Sequence, residues 1–504
     1  MISEHTETTT RPDFENFIDR YREVLKTLFR EPQNHKFVSL NRGLPPMLMR
    51  DVMQCEPLRV FIPKEHGGLG GEVSHCLSML EASSYESLPL SLMMGINGAL
   101  FIQPVSRYAD PSVRAGIFNR FIEDKAMGGL MITEPDYGSD ALHMQTFYYQ
   151  EQSGHRVDGV KHWAGLTGWA DYWLLTARRK NKDGTLARDV DFFIHDARNP
   201  GIHVEEYFEN LGLYMLPYGR NRINAYVPEN FRLQPPSTGI KLMLDMLHRS
   251  RLQFPGMAMG FLRRIVDDSL DHVKNRNVGG KSLFEYDQVR ERIVKMQSWF
   301  TTCAAMCRFT SHNAAITKDL SLEDVPANSI KSVVTDMMQD SAQSFLQLVG
   351  AKGYRLDHMA GRSIIDSRPF QIFEGSNDIL YQQIAESVLK KMRKAKQTSL
   401  YQFLKAYDLT GKAAAYLREI ADIRVDYNTL SQRKHVILGK MLGYAVSLNM
   451  VIELGEKGFN SHLIQNAADV LTGEMHTLLA SLHGNKDTRP AESIDQAGDW
   501  FAFV

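Results

Sequence analysis

The chain has 504 residues and a mass of 57.4 kDa, enough for roughly three or four domains with substantial cores. Its 58 Lys and Arg nearly cancel its 59 Asp and Glu, so no overall basic charge draws it to nucleic acid or anionic lipid. Four cysteines (Cys55, Cys76, Cys303, Cys307) are too few and too scattered for a disulfide scaffold, and without a CxxC pair or an HExxH helix no metal site is specified.

The N-terminus, MISEHTETTTRPDF, is polar and has neither a secretory h-region nor the Arg-rich character of a transit peptide, so the expected location is cytoplasmic. Residues 1–127 read as a helical domain, with Phe17, Tyr21, Val24, Leu25 and Leu28 at helical spacing in the first helix. Ser87 to Ser106 carries no charge, but Pro89, Asn97, Gln103 and Pro104 make it a buried helix with turns and not a transmembrane segment. Residues 128–236 change texture to short β runs such as DYWLLTA (Asp171 to Ala177) and VDFFI (Val190 to Ile194), with the turn NKDGT between them. From 237 to 395 long helical segments return and suggest a bundle. Residues 396–504 form a further helical region (Leu400 to Ile423, Leu430 to Leu454, His462 to His483) ending in the apolar DWFAFV. The extension at 401–504 holds ten Lys and Arg against twelve Asp and Glu, which gives DNA or anionic membrane no purchase.

General catalytic signatures are missing: there is no GxSxG elbow and no GxGxxG after a strand. Gly279-Gly280-Lys281-Ser282 imitates the end of a P-loop, but Asn275 stands where that loop needs glycine. Cys303 and Cys307, four apart on an apolar helix, read as core cysteines. Two segments are more specific. One is Met131-Ile-Thr-Glu-Pro-Asp-Tyr-Gly-Ser-Asp140, followed by Gly159-Val-Lys-His-Trp163; the other is Asp366-Ser-Arg-Pro-Phe-Gln-Ile-Phe-Glu-Gly-Ser-Asn-Asp-Ile379. Taken alone, the first is a polar turn and the second a helix cap in which Ser376 or Asn377 meets free N–H groups.

Together they resemble the acyl-CoA dehydrogenase family over roughly residues 15 to 395. Thr133 to Asp140 matches its TEPxxGSD signature, Ile372 to Ser376 reads as IYEGT with two conservative changes, and Phe61 to Gly70 is similar to its early Pro-x-Glu-x-Gly-Gly-x-Gly turn. Arg276, Gly280, Leu283 and Gln288 resemble Arg-x-x-Phe-Gly-x-x-Leu-x-x-x-Gln with Gly279 for the phenylalanine and one extra residue; Gln347, Gly350, Gly353 and Tyr354 echo QxxGGxGY. The resemblance implies a mainly α chain with an N-terminal helical domain, a middle β-barrel domain and a C-terminal four-helix bundle, here with an extra helical C-terminal region. It implies FAD between middle domain and bundle, contacted by the backbone at Met131 and Thr133, by Ser139 and by Trp163. Gly165 falls where members carry a threonine that hydrogen-bonds the ring. Arg276, Gln288, Gln347 and Gly350 would reach a neighbouring subunit's FAD, making a homodimer or homotetramer, and Ser376 and Asp378 complete the expected cofactor set.

The implied reaction converts an acyl-CoA or acyl-carrier thioester to its 2-enoyl form, with an electron-transfer flavoprotein as acceptor. Glu374 is the expected base: apolar neighbours and an entering acyl chain strip its water and raise its pKa. Ser139, Arg251 and Gly375 would face the substrate. Other members place the base just before the bundle arginine, where this chain has Ser250, so Glu374 is uncontested. Alternatives within the fold are an acyl-CoA oxidase or flavin monooxygenase-like member, or a non-catalytic DNA-binding relative. Helical extensions in some relatives replace one dimer contact of a tetramer or approach a membrane; subunit packing is the reading taken for this one.

Overall fold

The structure, a computed structural model, describes residues 11–420, 422–424, 430–484, 490–492, 501 and 504; the polar start and most of the DWFAFV tail lie outside them. The N-terminal domain consists of α1 (Arg11–Arg30), α2 (Pro32–Leu40), α3 (Pro46–Met53), α4 (Val73–Glu86), α5 (Leu88–Asn97), α6 (Gln103–Tyr108) and α7 (Pro111–Glu123). In α1 the fully buried stripe is Phe14, Ile18, Tyr21, Leu25 and Phe29. Of the expected stripe, Tyr21 and Leu25 lie in it, while Phe17, Val24 and Leu28 pack only at its margin. Both sets have helical spacing, and only the neighbouring α4 decides which one faces inward. Ser87 caps α5 by accepting from the Leu90 N–H, and a π-turn at Gly98–Ile102 joins α5 to α6. Leu88–Tyr108 is apolar enough to cross a membrane, but its uncharged stretch is buried by the rest of the chain, and the one charge at its end, Arg107, pairs with Asp245.

The middle domain is a seven-stranded sheet: β1 (Gly128–Met131), β2 (Phe147–Glu151), β3 (Gly154–His162), β4 (Tyr172–Arg179), β5 (Asp191–Asp196), β6 (Ile202–Tyr207) and β7 (Gly219–Pro228). Its hydrogen-bonded order is β1-β4-β2-β3-β7-β6, with β5 also on β4. The sheet branches at β4, which pairs parallel with β1 and β2 and antiparallel with β5, and among the described residues the pairing does not run back from β6 to β1. These strands are the middle sheet domain that the β texture of residues 128–236 predicts. It positions the site because β1 and β3 both end at the same edge, leading into Ile132–Thr133 and Trp163.

The C-terminal bundle is built from α8 (Gly239–Asn275), α9 (Asp287–Asn313), α10 (Asp324–Val349) and α12 (Asn377–Lys394), with α11 (Met359–Ser367) at one end. Thr238 caps α8, and nearly every residue from His248 to Leu262 is buried, including the interior Pro255. The P-loop look-alike is the tip of a two-residue hairpin between β8 (Asn277–Val278) and β9 (Lys281–Ser282), where Gly279 and Gly280 both take positive φ, as such a turn requires. Cys303 is fully buried and donates to the Pro255 carbonyl at 3.3 Å, a core contact.

In the extension, the expected helix from Leu400 breaks into α13 (Leu400–Ala406) and α14 (Ala414–Leu417). Thr410 stops α13 by donating its hydroxyl to the Leu404 carbonyl, and near the end of the expected span Ala421 lies outside the described residues. Then α15 (Gln432–Glu456) and α16 (Ser461–His483) lie against the bundle, α15 on α12, α10 and α9, and α16 on α9 and α15. The long apolar stretch of α15 is mostly buried there.

Candidate active site

Between the sheet edge and the bundle lies a cavity of about 230 Å³, open to solvent on one side. Leu92, Ile96 and Leu100 from the N-terminal domain and Phe373, Ile379 and Leu380 from the bundle give it apolar walls, with Glu374, Arg251, Thr133 and Ser139 as polar points. Glu374 sits in a turn where its own φ is +53° and that of Gly375 is +93°. A Cβ at Gly375 would come within 2.9 Å of Leu380 and 3.3 Å of the Arg251 guanidinium, so glycine serves both the backbone and the space.

Two buried cations hold the carbonyls of this turn. Arg251 Nε donates to the Glu374 carbonyl at 3.0 Å, and Lys331 Nζ donates to the Gly375 carbonyl at 2.7 Å. Arg251 is braced by Asn328 at 2.7 Å, and Lys331 by Asn377 at 2.9 Å. With the carbonyls engaged this way, the Glu374 amide N–H makes no hydrogen bond among the described residues. Ser250 Oγ donates to Glu374 Oε1 at 2.8 Å, whereas Oε2 is shut from water and has no partner. Burial drives the Glu374 carboxyl above its ordinary pKa; the Ser250 hydrogen bond and the charges of Arg251 and Lys331 pull the other way without cancelling it. Burial likewise pushes Arg251 down to about 10 and, helped by Arg251, Lys331 down to about 7.

The sheet side is fixed by a buried ion pair that ties the TEPDYGSD segment to the sheet. Glu134 accepts from Lys161 Nζ at 2.9 Å and from the N–H groups of Gln145 and Thr146, which staples the loop to β3. Thr133 takes the His162 N–H on its carbonyl, and its hydroxyl makes no hydrogen bond among the described residues at the cavity. Trp163, at φ +56° and 54% exposed, leans on Phe208 with ring centroids 4.6 Å apart. At Gly165 a Cβ would meet Ile96 Cδ1 at 2.7 Å. The space of the expected threonine is thus filled by a methyl group from α5.

Of the expected site residues, Glu374, Gly375, Arg251, Thr133, Ser139, Trp163 and Gly165 converge on the cavity. Met131 does not line it; it is fully buried in β1 with its carbonyl taken by Thr176. Ser376 and Asp378 are not on the wall either. Ser376 stands at the N-cap of α12 but makes no side-chain cap bond, and Asn377 turns inward to Ser332, Thr335 and Asp336, so neither residue caps as the turn-and-cap reading expected. Arg276, Gln288, Gln347 and Gly350 are exposed and away from the cavity; Gln347 and Gly350 line a separate surface hollow with Tyr354. Sequence reasoning missed Lys331 and Asn328, and took Asn377 only as a helix cap. Lys331 did carry a signal, as the only charge between Val325 and Thr335.

Family models described as the N-terminal, middle and C-terminal domains of acyl-CoA dehydrogenase match residues 12–125, 129–225 and 237–389 in that order. The chain belongs to the acyl-CoA dehydrogenase family. It is an oxidoreductase of that family. Its relatives include isovaleryl-CoA dehydrogenase of Oryza sativa subsp. japonica, 23% identical over 338 residues, covering 65% of this chain and 80% of that one. An acyl-CoA dehydrogenase of Bacillus subtilis is 24% identical, covering 66% and 87%. Among solved structures, butyryl-CoA dehydrogenase of Megasphaera elsdenii superposes with a TM-score of 0.67 at 18% identity, over 77% of this chain and 100% of that one. The FAD-complexed acyl-CoA dehydrogenase of Bacillus anthracis reaches 0.72 at 15% identity over 97% and 94%, so its fold includes counterparts of the extension.

The cavity fits a flavin ring by its own chemistry. Its apolar walls suit the faces of a flat aromatic system, the hydroxyls of Thr133 and Ser139 suit a polar edge, and Trp163 offers an exposed part of its ring.

Proposed function

We propose that this acyl-CoA dehydrogenase oxidises the Cα–Cβ bond of a saturated acyl-CoA thioester to the 2-enoyl thioester, with Glu374 as the base. The observation that carries the reading is the buried, unpartnered Oε2 of Glu374 at the cavity wall. FAD is the cofactor, held by Thr133, Ser139 and Trp163, and when bound it supplies the acceptor for the hydride leaving Cβ. Glu374 Oε2 takes the Cα proton, and the pair of electrons left behind forms the new C=C bond as the hydride departs. Both hydrogens lost by the substrate are thereby accounted for. The free Glu374 amide, kept available because Arg251 and Lys331 hold the two carbonyls of the turn, donates to the thioester oxygen and stabilises the charge that develops there. Leu92, Ile96, Leu100 and Leu380 receive the acyl chain and exclude water, which keeps the carboxylate basic. The electrons pass on to an electron-transfer flavoprotein, and the working unit is a homodimer in a reducing, cytoplasmic setting, in keeping with free Cys55, Cys76, Cys303 and Cys307.

The test is anaerobic mixing of the FAD-loaded chain with a panel of saturated acyl-CoA thioesters while the flavin absorbance is followed. Bleaching with at least one of them, and almost none with Glu374→Gln at equal FAD content, is the expected result. A Glu374→Gln variant that bleaches at the parent rate removes Glu374 from the role of base. Admitting air after reduction separates a dehydrogenase, slow to reoxidise, from an oxidase.

A further inference from the structure

The turn that carries Glu374 is anchored through a line of polar contacts that ends outside the family core. Lys331 Nζ, which holds the Gly375 carbonyl, also donates to Asn377 Oδ1 at 2.9 Å. Asn377 Nδ2 donates in turn to Asp336 Oδ1 at 2.7 Å. Asp336 gathers both flanks of the turn, because Gln371 Nε2 just before it reaches Oδ1 at 2.7 Å and the Tyr381 hydroxyl just after it reaches Oδ2 at 3.0 Å. The cation facing this carboxylate is Lys440, whose Nζ lies 2.9 Å from Oδ2. Lys440 belongs to α15, beyond the residues matched by the family models.

We propose that Lys440 of the C-terminal extension is a positioning residue for Glu374, acting through Asp336, Asn377 and Lys331 on the Gly375 carbonyl. The inference rests on the reading of Glu374 as base and extends the active-site support into the last hundred residues. Two features of α15 make the contact possible. Gly439 lets the helix approach so closely that a Cβ there would lie 1.8 Å from the Tyr381 carbonyl oxygen. Gly443, one turn on, lets it close on α10, where a Cβ would lie 3.0 Å from Val333 Cγ2. Lys440, between these two points, is delivered to the gap between α10 and α12 with its side chain 32% exposed, so it reaches inward from a half-wet position and is not a core cation. Asp336 accepts three neutral donors and has 17% of its side chain exposed; without Lys440 its charge would keep no cation in direct contact, only Lys331 on the far side of Asn377. The network would then be free to rearrange, and the last group it holds is the turn itself.

The experiment uses the full FAD-loaded chain and the variants Lys440→Met and Lys440→Arg. Three quantities are read: the rate of flavin reduction by a saturated acyl-CoA as a function of its concentration, amide exchange of peptides spanning residues 370–378, and the thermal midpoint. For Lys440→Met the limiting rate should fall about tenfold, with the half-saturating concentration within about twofold of the parent. Exchange over 370–378 should quicken, and Lys440→Arg should restore the rate to within about threefold. Parent-like rate and exchange in Lys440→Met overturn the proposal. So does an equal loss of rate and thermal stability in both variants, which would make Lys440 a packing residue only. If no saturated thioester reduces the parent, it is the reading of Glu374 that fails. Exchange over 370–378 then still decides whether Lys440 holds the turn.

Discussion

Burial raises the pKa of Glu374, and both its activity and its effect on stability take their sign from that shift. A base must be deprotonated to work, so the acid limb of the reduction rate should lie above the ordinary carboxylate value of 4.5. Ser250 stabilises the charged form, and Ser250→Ala should move that limb to higher pH while leaving the alkaline side in place. A limb that stays put would mean that the Ser250 hydroxyl does not sense the charge. For stability, the native state binds the Glu374 proton more tightly than the unfolded chain does, so stability falls as pH rises from 4.5 through the raised value. Glu374→Gln has no charge to bury. It should therefore melt higher than the parent at neutral pH, by about 1–3 °C, and melt with the parent below about pH 4. Thermal scans at the two pH values check this.

At the scale of elements, the sequence was readable wherever a periodic pattern met a matching environment. The shift from helical to alternating texture near residue 128 and back near 237 follows from burial of one helix stripe or one strand face, and the structure keeps that order. Finer orientation was not readable: two overlapping stripes in α1 have the same period, and only the partner helix chooses between them. The same holds at the site. TEPDYGSD and the Glu374 turn could be picked out because each is a contiguous motif. Asp336 and Lys440 could not, since they meet residues 35 to 104 positions away and no local pattern encodes the meeting; the lone charge at Lys331 could be noticed, but not its partner. Nor did Gly439 stand out, a glycine within a helical run whose purpose is the contact of α15 with the Tyr381 backbone. Gly439→Val should force the two helices apart and cost about 1–3 kcal/mol in chemical denaturation. An unchanged midpoint would mean that α15 can slide off α12 without loss.

The three domains are locked together by two buried carboxylates as well as by apolar packing. Asp245 on α8 accepts from Arg107 and Tyr108 of the N-terminal domain, from Arg249, and from the Leu320 N–H. Asp366 on α11 accepts from the Leu213 N–H of the middle domain and from Arg362, which also reaches the Ser39 carbonyl. These clamps fix the sheet edge against the bundle and so set the width of the cavity between them. The outer faces of the bundle then differ in what they offer a second copy. One end presents Gln347, Gly350 and a Tyr354 that is 84% exposed, together with Arg276 and Gln288, the residues that the family pattern assigns to a neighbour's FAD. The side made by α9, α10 and α12 is instead covered by α15 and α16 of the same chain. A tetramer that needed that side would have to displace a helix whose Leu438, Met441, Leu442, Ala445 and Leu448 are all buried, and removing so much apolar surface from its contacts would outweigh an ordinary subunit interface. Light scattering of the FAD-loaded chain should therefore return twice the 57.4 kDa of one copy. Four times that mass would show that subunits associate through the outer face of the extension itself, and exposed positions on α16 would then be the place to disrupt them.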